Sequence, residues 1–331
     1  MEKLKTVDAE TLLTTLLPST RFIVDRLLPQ GLHILAGAPK IGKSWWALWL
    51  CLCVSKGEAV WDFQTHQGTV LYLCLEGSYS RIQNRLFQLT EDAPSTLHFA
   101  NMSDSIGTGL ENQIEEFVQK HPKTTLIVID TLQKVRKHTS DSNPYANDYR
   151  DIAVLKTLAD KYHIAILLIH HLRKMNDTDP MNMISGTTGI SGATDSNFVL
   201  KPDKRGSSQA ILYCTGRDIE YQELTLEFDT KHYVWNLLSK SENSQTSVPD
   251  PFLMMLSAFL CELNCFNGTA TELSRLWEQK TGKQIDPSAL SKKLAKYKSD
   301  LARTGVHCSS SRTRESRQIH IHCDGSDACD G

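Results

Sequence analysis

The stretch from residue 37 to residue 44 reads Gly37-Ala38-Pro39-Lys40-Ile41-Gly42-Lys43-Ser44. It matches G-x-x-x-x-G-K-S, the pattern of a phosphate-binding P-loop. The apolar residues 32–36 before it predict a short buried strand, and residues 45–54 after it predict a helix. A P-loop requires this order of strand, loop and helix. The stretch therefore predicts a nucleotide site within an α/β fold.

The residue types of the loop match the chemistry of a triphosphate. The two glycines let the backbone wrap closely around phosphate oxygens, and the loop amides and the helix N-terminus supply partial positive charge. Lys43 is expected to reach the β- and γ-phosphates, and Ser44 to hold Mg²⁺. The predicted cofactors are thus ATP and Mg²⁺. The predicted cofactor-binding residues are the eight loop positions and Trp45, although the helical spacing of Trp45, Trp46 and Trp49 favours core packing over base stacking.

The bulk composition fits a globular protein with room for two domains. The chain has 331 residues, of which 40% are hydrophobic and 22% charged, and its formal net charge is −2. Any basic surface for nucleic acid must therefore be local. The nine cysteines are scattered and match no zinc-binding spacing. Because neither a secretory signal nor a membrane-length apolar run is visible, we expect a cytoplasmic protein without membrane contact.

Apolar runs alternate with helical patterns through most of the chain, which predicts a mainly parallel sheet. Continuous apolar runs such as residues 126–129 are typical of strands covered on both faces. The last strands follow one another without helices, so we expect the sheet to end in antiparallel strands. The predicted strands are residues 32–36, 69–75, 97–100, 125–129, 165–169, 197–201, 210–215 and 223–229, and the predicted helices are residues 45–56, 78–89, 109–119 and 149–162.

Composition divides the chain into five segments. They are a lead-in docked on the core (1–30), an ATPase domain (31–238), a linker (239–251), a second domain (252–323) and a flexible tail (324–331). The second domain combines three helical patterns (252–263, 270–281 and 286–304) with two short strands, which suggests a winged helix. Residues 270–322 hold 11 Lys or Arg against 5 Asp or Glu. This excess indicates either contact with duplex DNA through phosphates or a protein-docking module.

Two acidic residues follow predicted strands near the P-loop. Asp130 ends an apolar strand, the Walker B pattern, and is expected to orient Mg²⁺. Glu76 follows another strand and is predicted to polarise the water that attacks the γ-phosphate. The alternative for Glu76 is a helix cap ahead of Gly77. Because Thr131 and not an acid follows Asp130, the usual alternative base is missing, which favours Glu76 as the catalytic base.

His170 and His171 end the strand predicted over residues 165–169. A polar side chain at this place can touch the γ-phosphate and report its loss to the next loop. The alternative is a capping or solvated pair of histidines. The sequence offers no third ligand nearby for a metal site.

The ordered motifs GAPKIGKS, LYLCLEGSYSRIQNRL, LIVIDTL, LLIHHLRK, SGTTGISGATDSNFVL and TGRD resemble those of the RecA-like ATPases of the plasmid RepA hexameric helicase group, which are AAA-family ATPases. The resemblance covers residues 20–238. It implies a RecA core assembled as a homo-oligomeric ring, expected to be a hexamer, with ATP between subunits. It also implies that Glu76 is the catalytic base, that His171 is the phosphate sensor with His170 beside it, and that Arg217 is an arginine finger reaching the neighbour's nucleotide.

Arg217 has modest support from the residues alone, because an exposed arginine after an apolar strand is unremarkable, and Lys204 and Arg205 are rival candidates. Two polar loops, residues 136–148 and 174–189, are expected to face the channel of the ring. In RecA-like motors the loop after the sensor strand contacts single-stranded DNA, largely through the backbone. The nearby cations are Lys134, Arg136, Lys137, Arg173 and Lys174, and the alternative is an ordinary mobile surface loop.

Two functions are compatible with this reasoning. The first is a ring-forming ATPase that translocates along single-stranded DNA, as a replicative DNA helicase of a plasmid, phage or mobile element would. The second is an ATP-gated DNA-binding or regulatory switch without unwinding activity. KaiC-like and recombinase-like proteins share the core, so the core alone does not separate the two functions.

Overall fold

The computed structural model describes residues 4, 6–136, 144–173, 177–186, 188–204, 206–241, 250–312 and 317–324. The chain forms two compact units, one comprising Thr20–Ser244 and the other joining Met1–Ser19 to Gln245–Gly331. The lead-in predicted over residues 1–30 is thus divided between the two units. Most of the predicted linker, and the predicted tail after residue 324, lie outside the described residues.

Helices and strands alternate along most of the larger unit, whereas helices predominate in the smaller one. The helices are α1 (Ala9–Thr14), α2 (Lys43–Lys56), α3 (Tyr79–Leu89), α4 (Leu110–Lys120), α5 (Leu132–Val135), α6 (Pro144–Tyr162), α7 (Thr188–Ala193), α8 (Pro251–Leu263), α9 (Ala270–Thr281) and α10 (Pro287–Arg303), with one 3-10 helix at Pro180–Met183. The strands are β1 (Phe22–Val24), β2 (Leu28–Pro29), β3 (Gly31–Gly37), β4 (Thr69–Cys74), β5 (Leu97–Ala100), β6 (Thr124–Asp130), β7 (Ala165–His171), β8 (Ser196–Pro202), β9 (Gln209–Gly216), β10 (Gln222–Asp229), β11 (Val234–Lys240), β12 (Cys265–Gly268), β13 (Val306–Arg312) and β14 (Arg317–Cys323).

The central sheet of the larger unit has nine strands in the order β11-β10-β9-β8-β3-β7-β6-β4-β5. The strands from β8 to β5 in this order are parallel to their neighbours. β9, β10 and β11 extend the sheet in antiparallel pairing. The predicted α/β fold with a mainly parallel sheet is confirmed, and so is its antiparallel end.

The central strands are buried on both faces, as their continuous apolar runs predict. Every residue of β3 and β6 is buried. In β7, Leu167 and Ile169 pack on the face that carries α2, whereas Ile166 and Leu168 pack on the face that carries α4 and α6. Because side chains alternate across a strand, the residues at the carboxyl ends of these strands are also divided between the two faces.

Strand β11 was not predicted from the sequence. This strand pairs only with β10, at the edge of the sheet, and within it Trp235 alone is buried. A half-exposed edge strand lacks the apolar run on which the prediction relied, and Trp235 by itself does not reveal a strand.

The smaller unit follows the order α8, β12, α9, α10, β13, β14, and its three strands form an antiparallel sheet in the order β12-β14-β13. Local sequence explains where its helices begin. Thr269 and Glu272 form a capping box at α9, and Asp286 caps α10 ahead of Pro287. The three helices and the last two strands agree with the prediction, whereas β12 was not predicted.

The core of the smaller unit includes one residue from the beginning of the chain. Leu16 is buried in a cluster with Leu256, Trp277, Leu294 and Ile319. The segment that contains α1 therefore packs as part of the C-terminal unit, which the sequence did not indicate.

Candidate functional site

The P-loop connects β3 to α2 at the carboxyl edge of the parallel strands. Gly37 is the last residue of β3 and Lys43 the first of α2. Between them the backbone turns through Lys40 and Gly42, whose φ angles are 64° and 100°. Glycine adopts such a left-handed conformation without steric cost, which suits Gly42 to this position. At Gly37, a Cβ atom would lie 2.9 Å from the carbonyl oxygen of Leu200, so a side chain does not fit there.

Lys43 is anchored inside this loop. Its Nζ donates hydrogen bonds to the carbonyl oxygens of Gly37 at 2.7 Å and Ala38 at 2.9 Å. Burial lowers the pKa of Lys43 to about 8, and the carboxylates of Asp130 and Glu76 oppose this shift. The ammonium is therefore poorly solvated, and poor solvation strengthens its attraction to phosphate oxygens.

Asp130 lies at the end of β6 and is buried. Its Oδ2 accepts a hydrogen bond of 2.7 Å from the hydroxyl of Tyr72, a contact that was not predicted from the sequence. Burial, together with the charge of Asp130, raises the pKa of Tyr72 far above its ordinary value. Tyr72 thus remains a protonated donor that fixes the carboxylate. Cys74 pairs with Asp130 across the sheet, and Tyr72 lies two residues before Cys74 on the same face of its strand. This position is the signal that could have indicated the contact between Tyr72 and Asp130.

Glu76 comes two residues after the end of β4, the strand that pairs with β6. Its Oε1 accepts a hydrogen bond of 3.2 Å from the hydroxyl of Thr131, and its side chain is otherwise exposed. The N-cap of α3 is Ser78, whose side chain accepts from the amide of Arg81. Glu76 is therefore not the cap of that helix, and it stands beside Asp130 and Lys43 at the carboxyl edge of the sheet.

His170 and His171 end β7 with side chains on opposite faces of the sheet. His171 pairs in register with Gly37 and continues the alternation that faces α2. His170 faces the other side, where its Nε2 lies 2.9 Å from the carbonyl oxygen of Ser185. Burial lowers the pKa of His170, so its imidazole is neutral at pH 7. One histidine is thus beside the P-loop, and the other contacts the loop that follows.

Comparison with known proteins agrees with this geometry. A model of the AAA domain family matches residues 1–177, which is more than half of the chain. The chain belongs to the AAA domain family. No curated protein matches it.

Solved ATPase domains share the fold of this AAA domain. One solved structure of an ATPase domain is 14% identical, with a TM-score of 0.53, and the match covers 63% of this chain and 85% of that one. A DnaB-like replicative helicase, whose structure was described with its interactions with primase, is also 14% identical, with a TM-score of 0.53. That match covers 65% of this chain and 58% of the helicase. These likenesses concern the fold, and they agree with a RecA-like P-loop ATPase core.

Arg217 lies at the edge of the nine-stranded sheet that is opposite to the P-loop. The preceding residue, Gly216, pairs with Ser196 at the start of β8, whereas the P-loop follows the carboxyl end of the parallel strands. Its Nη1 is 3.3 Å from Oδ1 of Asp195, and its side chain is 61% exposed. The structure therefore does not bring Arg217 to the P-loop of its own chain. Of its rivals, Lys204 is exposed after β8, and Arg205 lies outside the described residues.

Asp195 is a further buried acid of the larger unit, and it was not predicted from the sequence. Its Oδ2 accepts a hydrogen bond of 2.8 Å from the amide of Leu32 and forms an ion pair of 2.8 Å with Lys156. It also fixes the backbone at Arg217, whose amide donates to its carbonyl oxygen at 2.8 Å.

An aromatic group flanks the P-loop of the AAA domain. The ring of Trp45 stacks on Tyr233 with centroids 4.5 Å apart, and the guanidinium of Arg85 lies 5.2 Å from the Trp45 ring centre. Trp235 donates from its indole nitrogen to the carbonyl oxygen of Gly42 at 3.4 Å. Trp45 is thus half-buried at the side of the loop, whereas Trp46 packs in the core. The turn between β10 and β11 supplies Tyr233, and no pattern in the sequence indicated that contact.

The residues of the AAA domain fit ATP and Mg²⁺. The backbone of residues 37–44 leaves no room for a side chain at Gly37, the amine of Lys43 faces that loop, and the buried carboxylate of Asp130 is a hard oxygen ligand. Ser44 and Asp130 would hold the ion. Among the described residues, no separate group of three or more His, Cys, Asp or Glu is arranged to hold a metal ion. No helix in that part of the chain is long and apolar enough to cross a membrane.

Proposed function

We propose that this chain is a ring-forming ATPase that couples ATP hydrolysis to translocation along single-stranded DNA, as a RepA-like replicative helicase of a plasmid, phage or mobile element. One observation carries the proposal. Lys43, Asp130, Glu76 and His171 converge at the P-loop edge, whereas Arg217 lies exposed at the opposite edge. A chain with a nucleotide site at one edge and an arginine at the other is suited to head-to-tail assembly.

The hydrolytic step follows from the groups at the P-loop. Glu76 accepts a proton from a water molecule as the water oxygen bonds to the γ-phosphorus and the bond to the β–γ bridging oxygen breaks, which gives ADP and phosphate. Lys43 balances the charge on the phosphate oxygens, and Mg²⁺ held by Ser44 and Asp130 would add to that stabilisation. Thr131 positions Glu76 through the contact to its Oε1.

The two histidines offer a route from the phosphates to the DNA-binding loop. His171 lies beside the P-loop, and His170 contacts the carbonyl oxygen of Ser185 in the loop that follows β7. Loss of the γ-phosphate at His171 would thereby reach the loop expected to contact single-stranded DNA. Of the cations predicted there, Arg136 is held by Asp148 and Asp151, and Lys137 and Lys174 lie outside the described residues.

The smaller unit is proposed to be a winged-helix-like module that contacts duplex DNA. Its order of helix, strand, two helices and a final hairpin supports this assignment. Its local excess of Lys and Arg supplies the charge that phosphates require. In such a module the helix that precedes the hairpin, here α10, is the one that approaches the groove.

The test combines ATP hydrolysis with strand displacement. We expect single-stranded DNA to stimulate hydrolysis strongly, and Lys43→Ala to abolish both activities. Glu76→Gln is expected to lower kcat by about 100-fold or more while ATP still binds, because only the proton acceptor is lost. Glu91→Gln, which changes an exposed acid of the same unit, serves as the matched control and is expected to behave as the wild type.

Two results would count against the proposal. Full unwinding by Lys43→Ala would refute the mechanism. Hydrolysis that does not respond to single-stranded DNA, with no strand displacement by the wild type, would instead favour the ATP-gated switch.

A further inference from the structure

The segment of residues 8–17, here called the N-terminal clasp, lies against α10 of the C-terminal unit. Oε2 of Glu10 is 2.8 Å from Nζ of Lys292, and Oε1 of Glu10 accepts a hydrogen bond of 2.9 Å from the hydroxyl of Ser288. These hydrogen bonds lower the pKa of Glu10, so its carboxylate stays ionised. A carboxylate of the same chain is thus bound to a lysine of the helix that is proposed to approach DNA.

Two more cations bind oxygen atoms of the clasp. Nζ of Lys298 donates to the carbonyl oxygen of Leu17 at 2.8 Å. The guanidinium of Arg317, at the start of β14, donates to the hydroxyls of Thr14 and Thr15, each at 2.9 Å. The clasp therefore engages cations from both α10 and the hairpin, the two elements that a winged helix presents to a duplex.

Two other lysines of α10 are engaged in another way. Nζ of Lys293 lies 4.7 Å from the ring centre of Phe252, and Nζ of Lys296 lies 4.9 Å from that of Tyr297. Aromatic faces hold an ammonium without neutralising its charge. The pKa of Asp250 is lowered mainly by the hydrogen bond from Tyr297 and less by the charges of these two lysines. The contact of Glu10 differs because there a carboxylate bonds directly to a lysine of α10.

Like a DNA backbone, the clasp offers oxygen acceptors to cationic and hydroxyl donors. Lysine, arginine and serine side chains are common donors to phosphate oxygens, and here they bind a carboxylate, two hydroxyls and a carbonyl. The Glu10–Lys292 pair is exposed, and exposed pairs contribute little to stability. The buried side chain of Leu16 anchors the clasp. A polyanion can therefore replace these polar contacts at low cost while Leu16 stays buried.

We propose that the N-terminal clasp competes with duplex DNA for the surface formed by Ser288, Lys292, Lys298 and Arg317. This inference rests on the proposed contact of the C-terminal unit with duplex DNA. Duplex affinity of the intact chain is reduced by the fraction of molecules in which the clasp is closed. Loss of the clasp's polar contacts frees the four side chains together.

The experiment measures binding of a fluorescein-labelled DNA duplex to the full chain by anisotropy at fixed salt. The variants are Glu10→Gln and Glu10→Lys. The matched controls are Glu262→Gln and Glu262→Lys, because Glu262 forms a similarly exposed pair with Lys280 in the same unit, at 2.7 Å. Glu10→Gln is expected to bind about 5-fold more tightly than Glu262→Gln, and Glu10→Lys more tightly still. Hydrogen exchange of residues 8–17 is expected to rise when the duplex is added to the wild type.

The outcomes separate this inference from the function on which it rests. Equal duplex affinities for the Glu10 and Glu262 variants overturn the competition but leave duplex contact in place. If the wild type and all variants fail to bind duplex, both this inference and the proposed duplex contact are overturned. ATP hydrolysis and its stimulation by single-stranded DNA report on the larger unit independently of either result.

Discussion

Lys43 needs a positive charge to bind phosphates, but its burial disfavours that charge. Its amine is held inside the P-loop, where phosphates are proposed to bind, and burial there lowers its pKa from the ordinary value of 10.5 to about 8. Between these two values the unfolded chain binds more protons than the folded chain, so this residue makes stability rise with pH in that window. ATP acts in the opposite direction, because its phosphates favour the charged amine.

ATP affinity is accordingly expected to fall as the pH rises above 8. If the free protein titrates at a pKa of about 8, the Kd should weaken by about tenfold between pH 7 and pH 9. Binding measured by calorimetry at pH 9 should take up a proton, which is seen by comparing buffers of different ionisation enthalpy. Lys43→Arg keeps its charge over this range and is expected to lose both effects. A Kd that does not change with pH in the wild type would contradict the assignment.

At the scale of elements, an arginine ties α5 to α6. Arg136, just after α5, is paired with the buried Asp148 and donates from Nε to Oδ2 of Asp151 at 2.9 Å. Arg136→Gln removes the cation from two partly or fully buried acids. We expect the free energy of unfolding of the AAA domain to fall by about 3 kcal/mol in urea titration.

The matched control is Arg150→Gln, which changes an exposed arginine of α6 itself. It is expected to alter the free energy of unfolding by less than about 0.5 kcal/mol. Arg136→Lys should recover part of the loss, because it restores the charge but not the forked donor. Equal unfolding midpoints for Arg136→Gln and Arg150→Gln would show that the ion pairs do not hold these helices together.

The elements that could be predicted from the sequence are those with a local signal. β3, β6 and β7 are continuous apolar runs, and α9 and α10 begin at recognisable caps. The positions of the P-loop, Asp130 and Glu76 at the carboxyl edge of the sheet could be predicted because each follows a recognisable strand, and their catalytic roles stay predictions. Tyr72, Tyr233 and Asp195 were missed because their roles depend on contacts across the sheet or between distant segments. The packing of Leu16 into the C-terminal core was invisible for the same reason.

At the scale of the whole molecule, the proposed role of Arg217 requires a neighbouring chain. It lies at the edge of the sheet opposite to its own P-loop, with 61% of its side chain exposed, so only a neighbouring chain can receive it at a nucleotide. Arg217→Ala is expected to lower kcat by about 10³-fold while ATP binding and the fold are retained. A residue that merely pairs with Asp195 would give a smaller loss, accompanied by a change in stability.

Mixing inactive variants tests the arrangement directly. Lys43→Ala lacks the phosphate-binding amine but keeps Arg217, whereas Arg217→Ala keeps its P-loop. In rings assembled at random from equal amounts of the two, about a quarter of the interfaces join an intact P-loop to an intact arginine, so ATP hydrolysis should return to about that fraction. Arg217→Ala mixed with the double variant Lys43→Ala/Arg217→Ala contains no such interface and should stay inactive. If both mixtures stay inactive, Arg217 does not act across subunits, and the head-to-tail ring loses its main support.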